Sequence, residues 1–111
     1  MILRQDEGDE HWFKIGFRNT EGWAAYLLNG YMFVKLYKPL PGEYPDYGST
    51  FETYTDSAFI ELETLGPLVT IAPGDFTEHT EEWFVFTGVA LPASEAEIDR
   101  EITERVLGIM R

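Results

Sequence analysis

The dipeptide Asn29-Gly30, set between WAAYLL and YMFVKLY, constrains what this chain can fold into more than any other feature. A type I′ turn needs positive φ at both central residues, and Asn-Gly supplies it at low steric cost. Trp23–Leu28 and Tyr31–Tyr37 are therefore predicted to form an antiparallel hairpin. On the return strand Tyr31, Phe33, Lys35 and Tyr37 share one face, and Met32, Val34 and Leu36 share the other, as the two-residue period of a strand requires.

Similar runs recur along the chain. His11–Phe17 alternates, with Phe13, Ile15 and Phe17 forming the apolar face predicted to be buried. Phe51–Thr55 and Phe59–Leu65 are predicted strands split by Asp56-Ser57. Leu68–Ala72 and a run from Phe76 or Thr77 to Phe86 follow, separated by the Gly66-Pro67 and Pro73-Gly74 turns. Lys38–Ser49 (KPLPGEYPDYGS) holds three prolines and two glycines, so it is a long irregular connection and no central strand. It is either a binding loop or a crossing in which Tyr44 and Tyr47 pack over the end of the fold. The tail has a different period. Ser94 reads as an N-cap with Glu97 completing a capping box, and Ile98, Ile102, Val106 and Ile109 make one apolar stripe. At 111 residues the expectation is one all-β domain spanning residues 1–111. It would be an antiparallel β-sandwich with a C-terminal helix at 94–110 that packs on the sandwich or on a partner subunit.

Charge narrows the partners. The net charge is −12, and no Lys or Arg occurs between Pro39 and Asp99. Such a surface repels phosphate backbones and anionic lipid, which disfavours nucleic acid and membrane as partners. A neutral ligand, a cation or a basic partner fits it. The chain has no cysteine, and MILRQDEGDEH carries no apolar signal region, so a cytoplasmic location is expected.

Glu61 and Glu63 lie two apart in a strand-like run and leave the same face, with Ile60 and Leu62 on the other. Adjacent carboxylates raise one another's pKa, which is how a general base is tuned. On a solvated face the same acids instead pair with Lys14, Lys35 or Lys38. Gly74, His79, Glu81 and Glu82 resemble a cupin-type metal motif, but Glu81 stands where a second imidazole is needed, so neither a metal nor another cofactor is expected. Trp12, Trp23 and Trp83, with Tyr44 and Tyr47, are candidates for a sugar-stacking platform. Trp23 and Trp83 read rather as core, where the aromatic residues of a small sandwich usually lie.

The run FIELETLGPLVTIAPGD with the following EEW strand, together with GWAAY and FVK upstream, resembles the C-terminal part of a group of uncharacterised bacterial proteins. That group is similar to the galactose mutarotase-like (aldose 1-epimerase) supersandwich. The resemblance implies a sugar-handling scaffold. It makes Glu61 the candidate catalytic base, spaced from Thr64 and Pro67 as in that family, with Glu63 as the alternative and His79 or His11 as possible acid partners. Leu62 replaces the family's usual Pro, and the family's catalytic His lies upstream of what this chain contains. The chain resembles one half of a supersandwich, whose uncovered edges imply a homodimer. Three readings follow: a carbohydrate-binding module using Trp12, Tyr44 and Tyr47, an epimerase, or an interaction domain.

Overall fold

The computed structural model describes residues 1–111. Six strands form two antiparallel three-stranded sheets, and a helix ends the chain. The strands are β1 (Phe13–Phe17), β2 (Trp23–Leu28), β3 (Tyr31–Tyr37), β4 (Phe51–Thr55), β5 (Ile60–Thr64) and β6 (Glu81–Thr87). One sheet runs β1-β4-β5 and the other β2-β3-β6. They belong to two compact units, residues 1–21 with 38–80 and residues 22–37 with 81–111. No helix is long and apolar enough to cross a membrane.

In the second unit the Asn29-Gly30 hairpin forms as predicted, with φ of 50° and 80° and Leu28 paired to Tyr31. Met32 and Val34 point inward and are fully buried, where they meet Val89, Ile102 and Val106. Trp23, Ala25, Leu27, Phe84 and Phe86 close over this cluster. The helix, α1, runs through Glu95–Ile98, a wider π turn at Asp99–Thr103, and Glu104–Ile109. The π turn has a packing reason. Ile98, Ile102 and Val106 recur every four residues, which overshoots a 3.6-residue turn, and one wider turn brings them back into line. Ser94 caps the helix by accepting from the Glu97 N–H, and the Glu97 carboxylate accepts from the Ala93 N–H. The capping box therefore closes one residue ahead of its usual place.

In the first unit the register pairs Phe13 with Thr55 and Phe17 with Phe51, then Phe51 with Thr64 and Thr55 with Ile60. Strand ends follow from available partners. β1 begins at Phe13 rather than His11 because β4 ends opposite it at Thr55. Of the face predicted to be buried, Ile15 and Phe17 are half-buried and Phe13 is exposed. Asp56 shapes the β4–β5 turn, its carboxylate accepting from the N–H groups of Ala58 and Phe59.

Two predicted strands are corrected. Leu68–Ala72 is irregular and its Leu68, Val69 and Ile71 side chains are exposed. The segment has β-forming residues but no neighbouring strand to pair with; the Leu68 N–H instead bonds the Glu43 carbonyl at 2.7 Å. The last strand starts at Glu81 rather than Phe76 or Thr77. Its partner β3 ends opposite Glu81 at Tyr37, so earlier residues have no ladder to join. Met32→Ala should lower unfolding free energy by about 2–5 kcal/mol, the cost of emptying a fully buried site, and urea denaturation measures it.

Candidate functional site

The β1-β4-β5 sheet gathers charged and aromatic side chains on one face. Pairing sets Lys14 opposite Tyr54, Gly16 opposite Glu52, Glu52 opposite Glu63, and Tyr54 opposite Glu61. Directly opposed residues of antiparallel strands share a face. Lys14, Glu52, Tyr54, Glu61 and Glu63 therefore project together. Trp12, one residue before β1, continues the row: its ring stacks on Tyr54 with centroids 6.4 Å apart and planes within 16°. Tyr54 in turn meets Phe59 at 5.6 Å. Trp12 remains 69% exposed, so one ring face is open to a ligand.

Lys14 holds the polar half together. Its Nζ lies 2.9 Å from Glu52 Oε2 and 3.2 Å from each oxygen of Glu63. Hydrogen bonds to Glu52 and Glu63 push the Lys14 ammonium up to about 12. The same bond from Lys14 holds the buried Glu52 carboxyl below the usual range. Asp46, hydrogen-bonded to Glu52, is raised, because two carboxyls in contact share a proton more readily than they both ionise. Glu61 is raised for the same reason, by its hydrogen bond to Glu63. Gly16 makes room for this cluster. A Cβ there would lie 2.6 Å from Ser49 Oγ and 3.2 Å from Glu52 Cγ.

The Lys38–Ser49 connection supplies the rim. Tyr44 is buried and its hydroxyl donates to the Leu40 carbonyl at 2.8 Å, so its ring is part of the packing. Tyr47 is the opposite case: it is fully exposed. The tight turn Pro45–Gly48 holds Asp46 (φ 50°, ψ 56°) and Tyr47 (φ 60°, ψ 30°) in the left-handed region. Two consecutive non-glycine residues there cost roughly 1–2 kcal/mol each. The Ser49 hydroxyl donates to the Asp46 carbonyl and steadies the turn. Lys14, Gly16, Asp46, Tyr47, Ser49 and Glu52 line a shallow cleft of about 410 Å³.

Of the residues singled out from sequence, Trp12, Glu61 and Glu63 come together, with Tyr47 at the cleft beside them. His79 does not join them on that face. It bonds Thr64 Oγ1 at 2.7 Å, and Thr64 leaves β5 on the side opposite Glu61 and Glu63. His11 is engaged by Asp9 at 2.8 Å. Glu81 pairs with Lys35 at 3.2 Å and accepts from Trp83 Nε1 at 2.8 Å. No group of three or more His, Asp or Glu side chains is placed to hold a metal ion. Trp83, readable as core, is exposed, its ring edge-on to Phe33 and beneath Lys35 Nζ at 5.7 Å. Sequence reading missed Asp46, Glu52 and Tyr54. The alternation in FETYT puts Glu52 and Tyr54 on one face, but only the β1-β4-β5 order brings that face beside Lys14 and Glu61.

No protein-family model, curated protein or solved structure matches the chain.

Lys14→Met should lower the melting temperature most at neutral pH. The depressed pKa of Glu52 means that its ionised form stabilises the fold above the ordinary carboxylate range. That contribution is lost as pH falls through the lowered folded value, so the gap between wild type and variant should close in acid. Thermal melts across that range check it. A gap that widens as the pH falls contradicts the assignment.

Proposed function

We propose that the aromatic and carboxylate face of β1-β4-β5 binds a neutral carbohydrate. The observation that carries the reading is the Trp12–Tyr54 stack beside Glu61, Glu63 and Lys14 on one sheet face. The apolar face of a sugar ring packs on an aromatic ring, and its hydroxyls exchange hydrogen bonds with carboxylates and an ammonium. The open cleft at Tyr47 adds a further ring at the rim. The reading takes the sequence-based β-sandwich as its scaffold, supported by the two antiparallel sheets.

The epimerase reading has one observation in its favour. The Glu63 hydrogen bond raises the Glu61 carboxyl from its ordinary value, the direction in which a carboxylate base is tuned. Polarimetry of freshly dissolved aldoses tests it, and anomerisation rates unchanged by added protein would remove it for those sugars.

Binding is checked by heteronuclear NMR titration with neutral mono- and oligosaccharides. Shifts should concentrate at Trp12, Tyr54 and Glu61, and Trp12→Ala should weaken binding roughly tenfold, as the loss of one stacked ring implies. Trp83→Ala should leave it unchanged. Shifts scattered over both sheets, or none with any sugar, reject the proposal. Tyr47→Gly should raise stability by about 1 kcal/mol through relief of its left-handed backbone, while weakening the same titration.

A further inference from the structure

The aromatic and carboxylate face of the first unit is longer than one sugar ring. Trp12 directly precedes β1, and its stack on Tyr54 keeps it in line with Lys14 and Gly16 on that face. At about 3.3 Å per extended residue, Trp12 stands roughly 13 Å from Gly16. A single pyranose is about the size of one aromatic ring, so a sugar stacked on Trp12 covers less than half of that length. Lys14, Tyr54 and Glu61 occupy the cross-strand row between the two ends.

The far end has the shape of a second binding place. Gly16 has no side chain, and a Cβ there would lie 2.6 Å from Ser49 Oγ. Backbone alone bounds the 410 Å³ cleft at that point, while the strands contribute Lys14 and Glu52 and the turn contributes Asp46 and Tyr47. The Tyr47 ring is fully exposed, yet its backbone is held. The Ser49 N–H donates to the Pro45 carbonyl at 3.1 Å, and the Ser49 hydroxyl donates to the Asp46 carbonyl at 2.7 Å. These bonds keep Tyr47 at φ 60° and ψ 30°, a costly conformation of the kind that concentrates at ligand sites. All of these residues belong to the first unit.

We propose that this face holds two sugar subsites, one on the Trp12 ring and one in the Tyr47 cleft, and that its ligand is a neutral, extended oligosaccharide of about three units rather than a monosaccharide. The inference rests on the carbohydrate reading and adds the length of chain that the site takes. One terminal unit stacks on Trp12, the other enters the cleft beside Tyr47, and the middle unit crosses the row of Lys14 and Glu61. The Lys14 ammonium is already engaged by Glu52 at 2.9 Å and Glu63 at 3.2 Å, which disfavours an acidic sugar. A chain that fills both subsites makes the second contact intramolecularly, so it gains affinity that a single ring cannot.

The full chain is titrated with two neutral series, glucose to cellotetraose and mannose to mannotetraose, and binding is followed by heteronuclear NMR. For the series that fits, affinity should rise roughly tenfold or more from the monosaccharide to the trisaccharide, the gain expected of one further stacked ring, and change little at the tetrasaccharide. Tyr47→Ala should bring the affinity for the trisaccharide down towards that for the monosaccharide, and Tyr47→Phe, which keeps the ring, should restore the dependence on length. Trp12→Ala should weaken binding at every length. A monosaccharide that binds as tightly as the trisaccharide overturns the two-subsite proposal and leaves the carbohydrate reading standing. So does a Tyr47→Ala chain whose dependence on length matches the wild type. Failure of every neutral sugar to bind rejects the carbohydrate reading and this inference with it.

Discussion

One ammonium group organises the acidic half of this molecule. The strands FKIGF, FETYT and IELET contain a single cation, Lys14, and it reaches a carboxylate on each of the other two strands, Glu52 on the adjacent β4 and Glu63 on β5 beyond it. Glu52 is buried, and a buried carboxylate without a compensating charge is among the costlier things a fold can contain. Around that pair the other acids reach a hydrogen-bonded compromise. Asp46 leans on Glu52 and Glu61 on Glu63, and these contacts raise the pKa of Asp46 and of Glu61. The face is directional, because its strand-borne donors and acceptors are set by cross-strand register.

What could be read from the sequence divides along the range of the interactions involved. The Asn29-Gly30 hairpin, the Ser94 cap and the Ile98–Ile109 stripe depend on residues a few positions apart, and all three form. The shared face of Glu61 and Glu63 follows from the period of a strand alone. The limits of β1 and β6 and the fate of Leu68–Ala72 depend on partners far along the chain. A β-prone segment becomes a strand only where another backbone offers it hydrogen bonds. The site divides in the same way. Trp12 and the two glutamates were legible, whereas Tyr54 and Glu52 acquire meaning only from the pairing of β4 with both β1 and β5. The two loop tyrosines looked alike in sequence, yet one is packing and the other is presented to solvent by a strained turn.

The two units use aromatic residues differently. In the first, Trp12, Tyr54 and Phe59 form a row along the edge of an acidic face. In the second, Trp83 stands exposed between Phe33 and Lys35, tied by its indole N–H to Glu81, away from the apolar cluster beneath the helix. The proposed carbohydrate site draws on the first arrangement alone, with its carboxylate pair beside the exposed Trp12 ring.

The irregular run from Leu68 to Ile71 has a consequence for the unfolded and partly unfolded chain. Its residues, LVTI, are a short, uncharged, strongly β-forming window exposed in the native state. Windows of that composition are the usual seeds of cross-β stacking. Here Pro67 stands immediately before it and Pro73 shortly after, and neither can donate a ladder hydrogen bond. The two flanking prolines limit how far a stack growing from the segment can extend. They act as gatekeepers against fibre formation, a role unrelated to any ligand.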